Sequence, residues 1–165
     1  VSENELPSGD VHFEREYDLP PAIVWDALID DDLVEGWLAV AKIDAKVGGQ
    51  YWLSWQTGTS LAPTSGTITV IRYAQRLRIE TDNIGTLDFT LEAIPGGTRG
   101  NATILELRLS VDTDRRMLAS TVAHWETNFD QLEDLLRGHP VDWANWQRDR
   151  GEAWESYRRA SAAGD

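Results

Sequence analysis

The stretch "AHWETNFDQLEDLLRG", Ala123 to Gly138, sets one of only three histidines beside a tryptophan and a glutamate. A His–Glu pair against an aromatic wall would suit general acid–base chemistry, provided the two side chains can meet. On a helix they cannot. With Trp125 at the centre of the face, His124 and Glu126 fall roughly 100° to either side. No third polar partner or nucleophile accompanies them, so no catalytic dyad is expected.

Two polar residues lie nearer the centre of that face, Thr121 at roughly 40° and Asn128 at roughly 60° from Trp125. Buried amides and hydroxyls need partners. Each residue therefore either satisfies backbone groups nearby or orients a polar group of a bound ligand. Arg15 raises the same question, because its alternation partners Phe13 and Tyr17 point to the apolar face. A guanidinium there requires a carboxylate or carbonyls from the chain, or an anionic group of a ligand.

Other candidate motifs carry less. The run Asp30-Asp31-Asp32 lacks a regular set of oxygen ligands and reads as a turn and helix cap, with Asp32 and Glu35 in the D-x-x-E form of a capping box. "KVGGQ" and "PGGTRG" are glycine-rich but open no helix, so they are not phosphate loops. No metal site and no cofactor are expected. With no cysteine, disulfides and thiol chemistry are excluded, and the composition fits a reducing cytoplasm. The net charge of −13 disfavours nucleic acid and anionic membrane surfaces as partners.

The elements that would position these residues follow from periodicity. Residues 1–10 form a polar lead-in, and "VHFEREYD" alternates as a strand. Pro20-Pro21 stops it, and two short helices follow, in "AIVWDALI" and after the acidic run. From Lys42 the pattern becomes strands: "KIDAKV", "QYWLSW", "GTITVIRY", "RLRIET", "TLDFTLEAI" and "ATILELRLSV". "TGTSLAPTS" is a loop. Six or seven strands joined by short turns describe an antiparallel meander. Leu118, Val122, Trp125, Phe129, Leu132 and Leu136 then make one stripe of a long helix, which Gly138 and Pro140 end. A stripe of that kind must lie against the sheet, giving an α+β fold.

The series resembles a known family. "LPPAIVWDALIDDDLVEGWLA" with Trp25 and Trp37, "KVGGQYWLSW" with Gly48-Gly49, and "GTITVIRYAQRLRIET" with Gly66 and Arg76-Leu77 carry the resemblance. "LDFTLEAIPGGTR" and the Trp125 helix complete it. Together, over residues 11–138, they resemble START-like (SRPBCC) domains of the group similar to the C-terminal domain of the Hsp90 ATPase activator. The resemblance implies a helix-grip fold, a curved antiparallel sheet wrapped around a long C-terminal helix. It also implies a cavity between sheet and helix for a small apolar, aromatic or lipid-like ligand. Arg15, Tyr51, Leu53, Trp55, Ile79, Phe89, Leu107, Thr121, Trp125, Asn128 and Phe129 are its expected lining. Trp52 alternates to the opposite face.

Residues 139–165 form a helical extension. Asp142 is the expected N-cap, and Trp143, Trp146, Arg150, Trp154 and Tyr157 share one face. That stripe either packs on its own domain or forms a homodimer or protein-partner surface, since Trp, Tyr and Arg are frequent interface anchors. The reading favours ligand binding over catalysis. A co-chaperone-like interaction role and a cyclase- or hydrolase-type enzyme are the alternatives.

Overall fold

The computed structural model describes residues 8–56, 62–112 and 115–163. Most of the expected lead-in and the first five residues of the "TGTSLAPTS" loop lie outside these residues. Strand β1, Ser8–Tyr17, begins earlier than Val11 because its pairing with the last strand starts at Ser8. Phe13 and Tyr17 turn inward while His12, Glu14 and Glu16 stay exposed, the alternation of a strand with one wet face.

Pro21 occupies the first turn of helix α1, Pro21–Ile29, where a missing N–H is harmless. Helix α2, Asp31–Glu35, corrects the expected cap. Asp30, not Asp32, is its N-cap, accepting from the amides of Asp32 at 2.9 Å and Leu33 at 3.2 Å. Asp31 instead accepts from the Ile43 amide at 2.9 Å, tying α2 to the next strand.

Six more strands follow: β2 Val40–Ile43, β3 Gln50–Ser54, β4 Thr64–Arg72, β5 Arg76–Thr81, β6 Thr86–Pro95 and β7 Asn101–Asp112. β2 is displaced toward the N-terminus from the "KIDAKV" expectation. Residues 44–49 fold back as a turn, with Gly49 N donating to Lys46 O at 2.9 Å and Gly48 at φ 81°. The sheet order is β1-β7-β6-β5-β4-β3-β2, antiparallel throughout, so β1 closes on the last strand of a meander. Gly66 lies between Tyr51 and Thr81 in register. A Cβ there would stand 2.7 Å from Ile79 Cγ2 and 2.9 Å from Tyr51 O, so only glycine fits.

Helix α3, Arg115–Leu136, lies against the concave face of this curved sheet. It ends as the sequence indicates, with Gly138 at φ 92° and the His139 amide reaching Asp134 O at 2.8 Å. That i→i−5 bond is the signature of a glycine-terminated helix. The chain then turns back. Val141 N donates to Gly36 O at 2.9 Å, and Trp143, in a single 3-10 turn Trp143–Asn145, donates its indole N–H to Glu35 O at 2.7 Å. Helix α4, Trp146–Ala163, therefore starts after Trp143, and Asp142 accepts from the Asn145 side chain instead of capping it. Gln131 meets Trp146 and His124 meets Trp154, so α4 runs antiparallel along α3. The layers are sheet, α3 and α4.

Candidate functional site

The alternation of the strands decides what faces α3. Leu53, Ile79, Phe89 and Leu107 are inner-face residues, each at most 1% exposed, and the register sets Leu77, Phe89 and Leu107 in one row. From the helix, Trp125 and Phe129 meet them. Phe89 stands edge-on to Trp125 with ring centres 6.3 Å apart, Trp125 and Phe129 lie 5.8 Å apart, and Phe13 is 5.6 Å from Phe129. Trp37, from the segment after α2, stacks on Phe129 at 6.4 Å. Five aromatic rings thus make one continuous cluster between sheet and helix. Burying each contributes about 1.5–3 kcal/mol relative to exposure.

Of the expected lining residues, the structure brings Leu53, Ile79, Phe89, Leu107, Trp125, Phe129 and Tyr51 into this core, where they pack against one another. Trp55 packs from the edge of the core, its indole nitrogen donating to Thr64 Oγ1 at 3.0 Å. Thr121 donates back to Met117 O at 3.0 Å, one turn earlier on its own helix. Asn128 Oδ1 accepts from Gln131 Nε2 at 3.3 Å. Both are part-buried, and both hydrogen bonds stay within α3. Trp52 does take the opposite face, with Lys42 Nζ 5.4 Å from its ring centre.

The polar groups around the cluster are engaged. Tyr51 donates to Leu28 O at 2.6 Å and Tyr17 to Phe129 O at 3.0 Å. Burial raises both phenols well above their ordinary range, so neither gives up its proton near neutrality. Arg15 is bridged by two carboxylates of α3, Asp130 Oδ1 at 2.9 Å and Glu126 Oε1 at 3.1 Å, and also donates to Glu126 O. Burial alone would lower its pKa, but the bond and charge of Asp130 and the charge of Glu126 outweigh that and raise it. Its guanidinium lies 5.8 Å from the Phe129 ring centre, closing the aromatic cluster on that side.

His124 and Glu126 diverge, as the helical wheel requires. Glu126 turns to Arg15; His124 turns to α4 and accepts from the Trp154 indole at 2.8 Å. Burial lowers the imidazole pKa and favours the neutral acceptor. Trp146, Arg150 and Tyr157 of the C-terminal stripe are committed to the same seam. Trp146 donates to Gln131 Oε1 at 2.8 Å, Arg150 pairs with Asp134, and Tyr157 donates to Asp130 Oδ2 at 2.7 Å. Trp143 is not on that face of α4 but on α2. The polar atoms of that stripe are thus bonded within the chain.

Gln131 escaped the sequence reading. It is fully buried, donating to Trp37 O at 2.7 Å and accepting from Trp146, so it joins the core segment to the extension. Its signal was a polar residue on the back of α3, visible only once α4 is known to lie there. Thr127 Oγ1, on the same seam, is buried and has no hydrogen-bond partner among the described residues.

The described residues also form two surface depressions. One, of about 240 Å³, lies on α4 between Trp146, Gln147, Gly151, Trp154 and Glu155. The other, of about 520 Å³, lies on the outer side of the sheet and includes Arg72, Arg76, Thr90, Glu92 and Glu106. Among the described residues, no helix is long and apolar enough to cross a membrane.

The fold recurs in solved structures. CalU16 from Micromonospora echinospora is 26% identical, with a TM-score of 0.61 over 90% of this chain and 88% of that one. Protein MLL2253 from Mesorhizobium loti is 21% identical, with a TM-score of 0.65 over 81% of this chain and 100% of that one. Protein NE0264 from Nitrosomonas europaea is 22% identical, with a TM-score of 0.59 over 78% of this chain and 94% of that one. No curated protein matches the sequence. The model of the family described as activator of Hsp90 ATPase homolog 1-like protein matches residues 18–137, from the end of β1 to the end of α3, and the chain belongs to that family.

Proposed function

We propose that the protein is a non-catalytic binding module for a small apolar, ring-containing ligand taken between the sheet and α3. The observation that carries this reading is the aromatic cluster of Phe13, Trp37, Phe89, Trp125 and Phe129. Aromatic rings in tilted and edge contact offer a ligand the surfaces they offer each other, so a flat guest can replace ring–ring contacts with ring–ligand contacts. The candidate acid–base groups favour binding over catalysis. Tyr51 and Tyr17 hold their protons, Arg15 is paired, and His124 points into the α3–α4 seam.

Native mass spectrometry of freshly purified protein, with tryptophan fluorescence titrated by naphthalene and by lauric acid, tests the reading. A retained or titratable 1:1 ligand is expected. Phe129→Ala serves as the control, because an apolar void of on the order of 150 Å³ accepts small aromatics in a folded core. If the variant bound naphthalene and the wild type bound neither probe, the cluster would be ordinary core and the proposal would fail.

The family match favours a second reading, docking on an Hsp90-type chaperone. A change in the chaperone's ATPase rate on adding the chain would support it; an unchanged rate would count against it.

A further inference from the structure

The outer face of the β1–β7 ladder gathers three metal-ligating groups away from the aromatic cluster. His12 and Glu14 alternate outward on either side of buried Phe13, and Glu14 stands directly opposite Glu106 in register. His12 Nε2 lies 3.2 Å from Glu106 Oε2, and the ligating atoms of all three residues lie within 4.8 Å of one another. Among the described residues Glu14 has no hydrogen bond or ion pair.

Two carboxylates directly opposite each other on a ladder repel. The one cation on the outer face of these strands, Arg108 opposite His12, makes no ion pair among the described residues. We propose that His12, Glu14 and Glu106 form a surface site for a divalent transition-metal ion of the zinc type. An imidazole nitrogen with two carboxylate oxygens suits such an ion, whereas calcium and magnesium require more oxygen ligands. Ligands about 2.0–2.2 Å from zinc stand roughly 3.4 Å apart in a tetrahedron. The His12–Glu106 spacing, 3.2 Å across a hydrogen bond, is close to that value, and a small turn of the exposed Glu14 side chain completes the set. The positions sit on a regular ladder, which fixes their separation better than a loop would. Glu106 is also a wall of the larger outer-face groove, so the ion's remaining positions would open at its rim.

Calorimetric titration of chelator-treated full-length protein with Zn²⁺ tests the site, with imidazole NMR identifying the histidine engaged. One saturable ion per chain is expected, shifting the His12 signals first, with no comparable response to Mg²⁺. His12→Gln, Glu14→Gln and Glu106→Gln should each weaken binding about tenfold or more, while His139→Gln leaves it unchanged. All four side chains are partly or fully exposed, so folding, checked by circular dichroism, should survive. No saturable binding, or binding that persists unchanged in His12→Gln and Glu106→Gln, would overturn the proposal.

Discussion

The Trp154 indole donates its N–H to Nδ1 of His124 at 2.8 Å, with the two rings tilted 45° and their centres 5.4 Å apart. That bond requires a neutral imidazole carrying its proton on Nε2. A charged imidazole has no lone pair to offer and would set two donors against each other.

The bond therefore predicts a pH dependence confined to the α3–α4 seam. The folded-state pKa of His124 is lowered by burial, so the unfolded chain takes up a proton more readily. Stability from this group is full above the ordinary imidazole value of about 6.5. It is lost as pH falls from there through the lowered folded value. Asp130, Asp134 and Glu126 on α3, and Glu155, Arg150, Tyr157 and Arg158 on α4, are the other charged or titratable groups near the seam. The carboxylates among them are paired with arginines or with Tyr157. Protection of α4 amides from hydrogen exchange, corrected for the intrinsic rate, should fall as pH drops below about 6.5. His124→Gln, which keeps an acceptor but cannot titrate, should flatten that slope; the same slope in the variant would contradict the assignment.

Asp130 links three elements, taking Arg15 of β1 on one oxygen and Tyr157 of α4 on the other. The Arg15–Asp130 pair is part-buried, at 24% and 32% side-chain exposure, so it should exceed a surface bridge without reaching a fully buried one. A double-mutant cycle of Arg15→Met and Asp130→Asn, read by urea unfolding, should give a coupling of roughly 1–2 kcal/mol. Additivity within about 0.3 kcal/mol would mean that the pair holds nothing together.

The sheet and α3 were legible in the sequence because each buries one face. Alternation in "RLRIET" marks β5 over its whole length, and the stripe from Leu118 to Leu136 follows α3 to its last residue. What a two-layer reading cannot show is the back of α3. His124, Asp130, Gln131 and Asp134 fall on the side that a single sheet leaves to water, and they look like solvated residues until α4 covers them. The cap of α2 was ambiguous for a different reason: three consecutive aspartates can each accept from amides two and three positions on. The helix start decides among them, and the Asp31 bond to Ile43 sets it. The filling of the space between sheet and helix was also illegible, because pattern shows which side chains point inward but not whether they meet.

Gln131 should be the most sensitive polar residue of the chain. In Gln131→Leu the shape is nearly kept, but Trp37 O loses its donor and the Trp146 N–H its acceptor. Each buried group left unpaired costs about 1–3 kcal/mol. Chemical unfolding should show a loss in that range or above, with Trp146 becoming more accessible to fluorescence quenchers. A variant as stable as the wild type would show that water replaces the amide without penalty.

Gly151 sits inside α4, where glycine costs a helix about 1 kcal/mol relative to alanine. A Cβ at this position would meet only the amide end of the Gln147 side chain among its three nearest atoms. That end is flexible and lies beside the open groove between Trp146 and Trp154, so it can swing away. Gly151→Ala should therefore stabilise, by roughly 0.5–1 kcal/mol, raising the melting temperature by about 2–4 °C per kcal/mol in a chain of this size. The gain should be concentrated in slower hydrogen exchange of α4. A destabilised variant would mean that α3 needs the close approach of a bare backbone at this point, and that Gln147 cannot move aside.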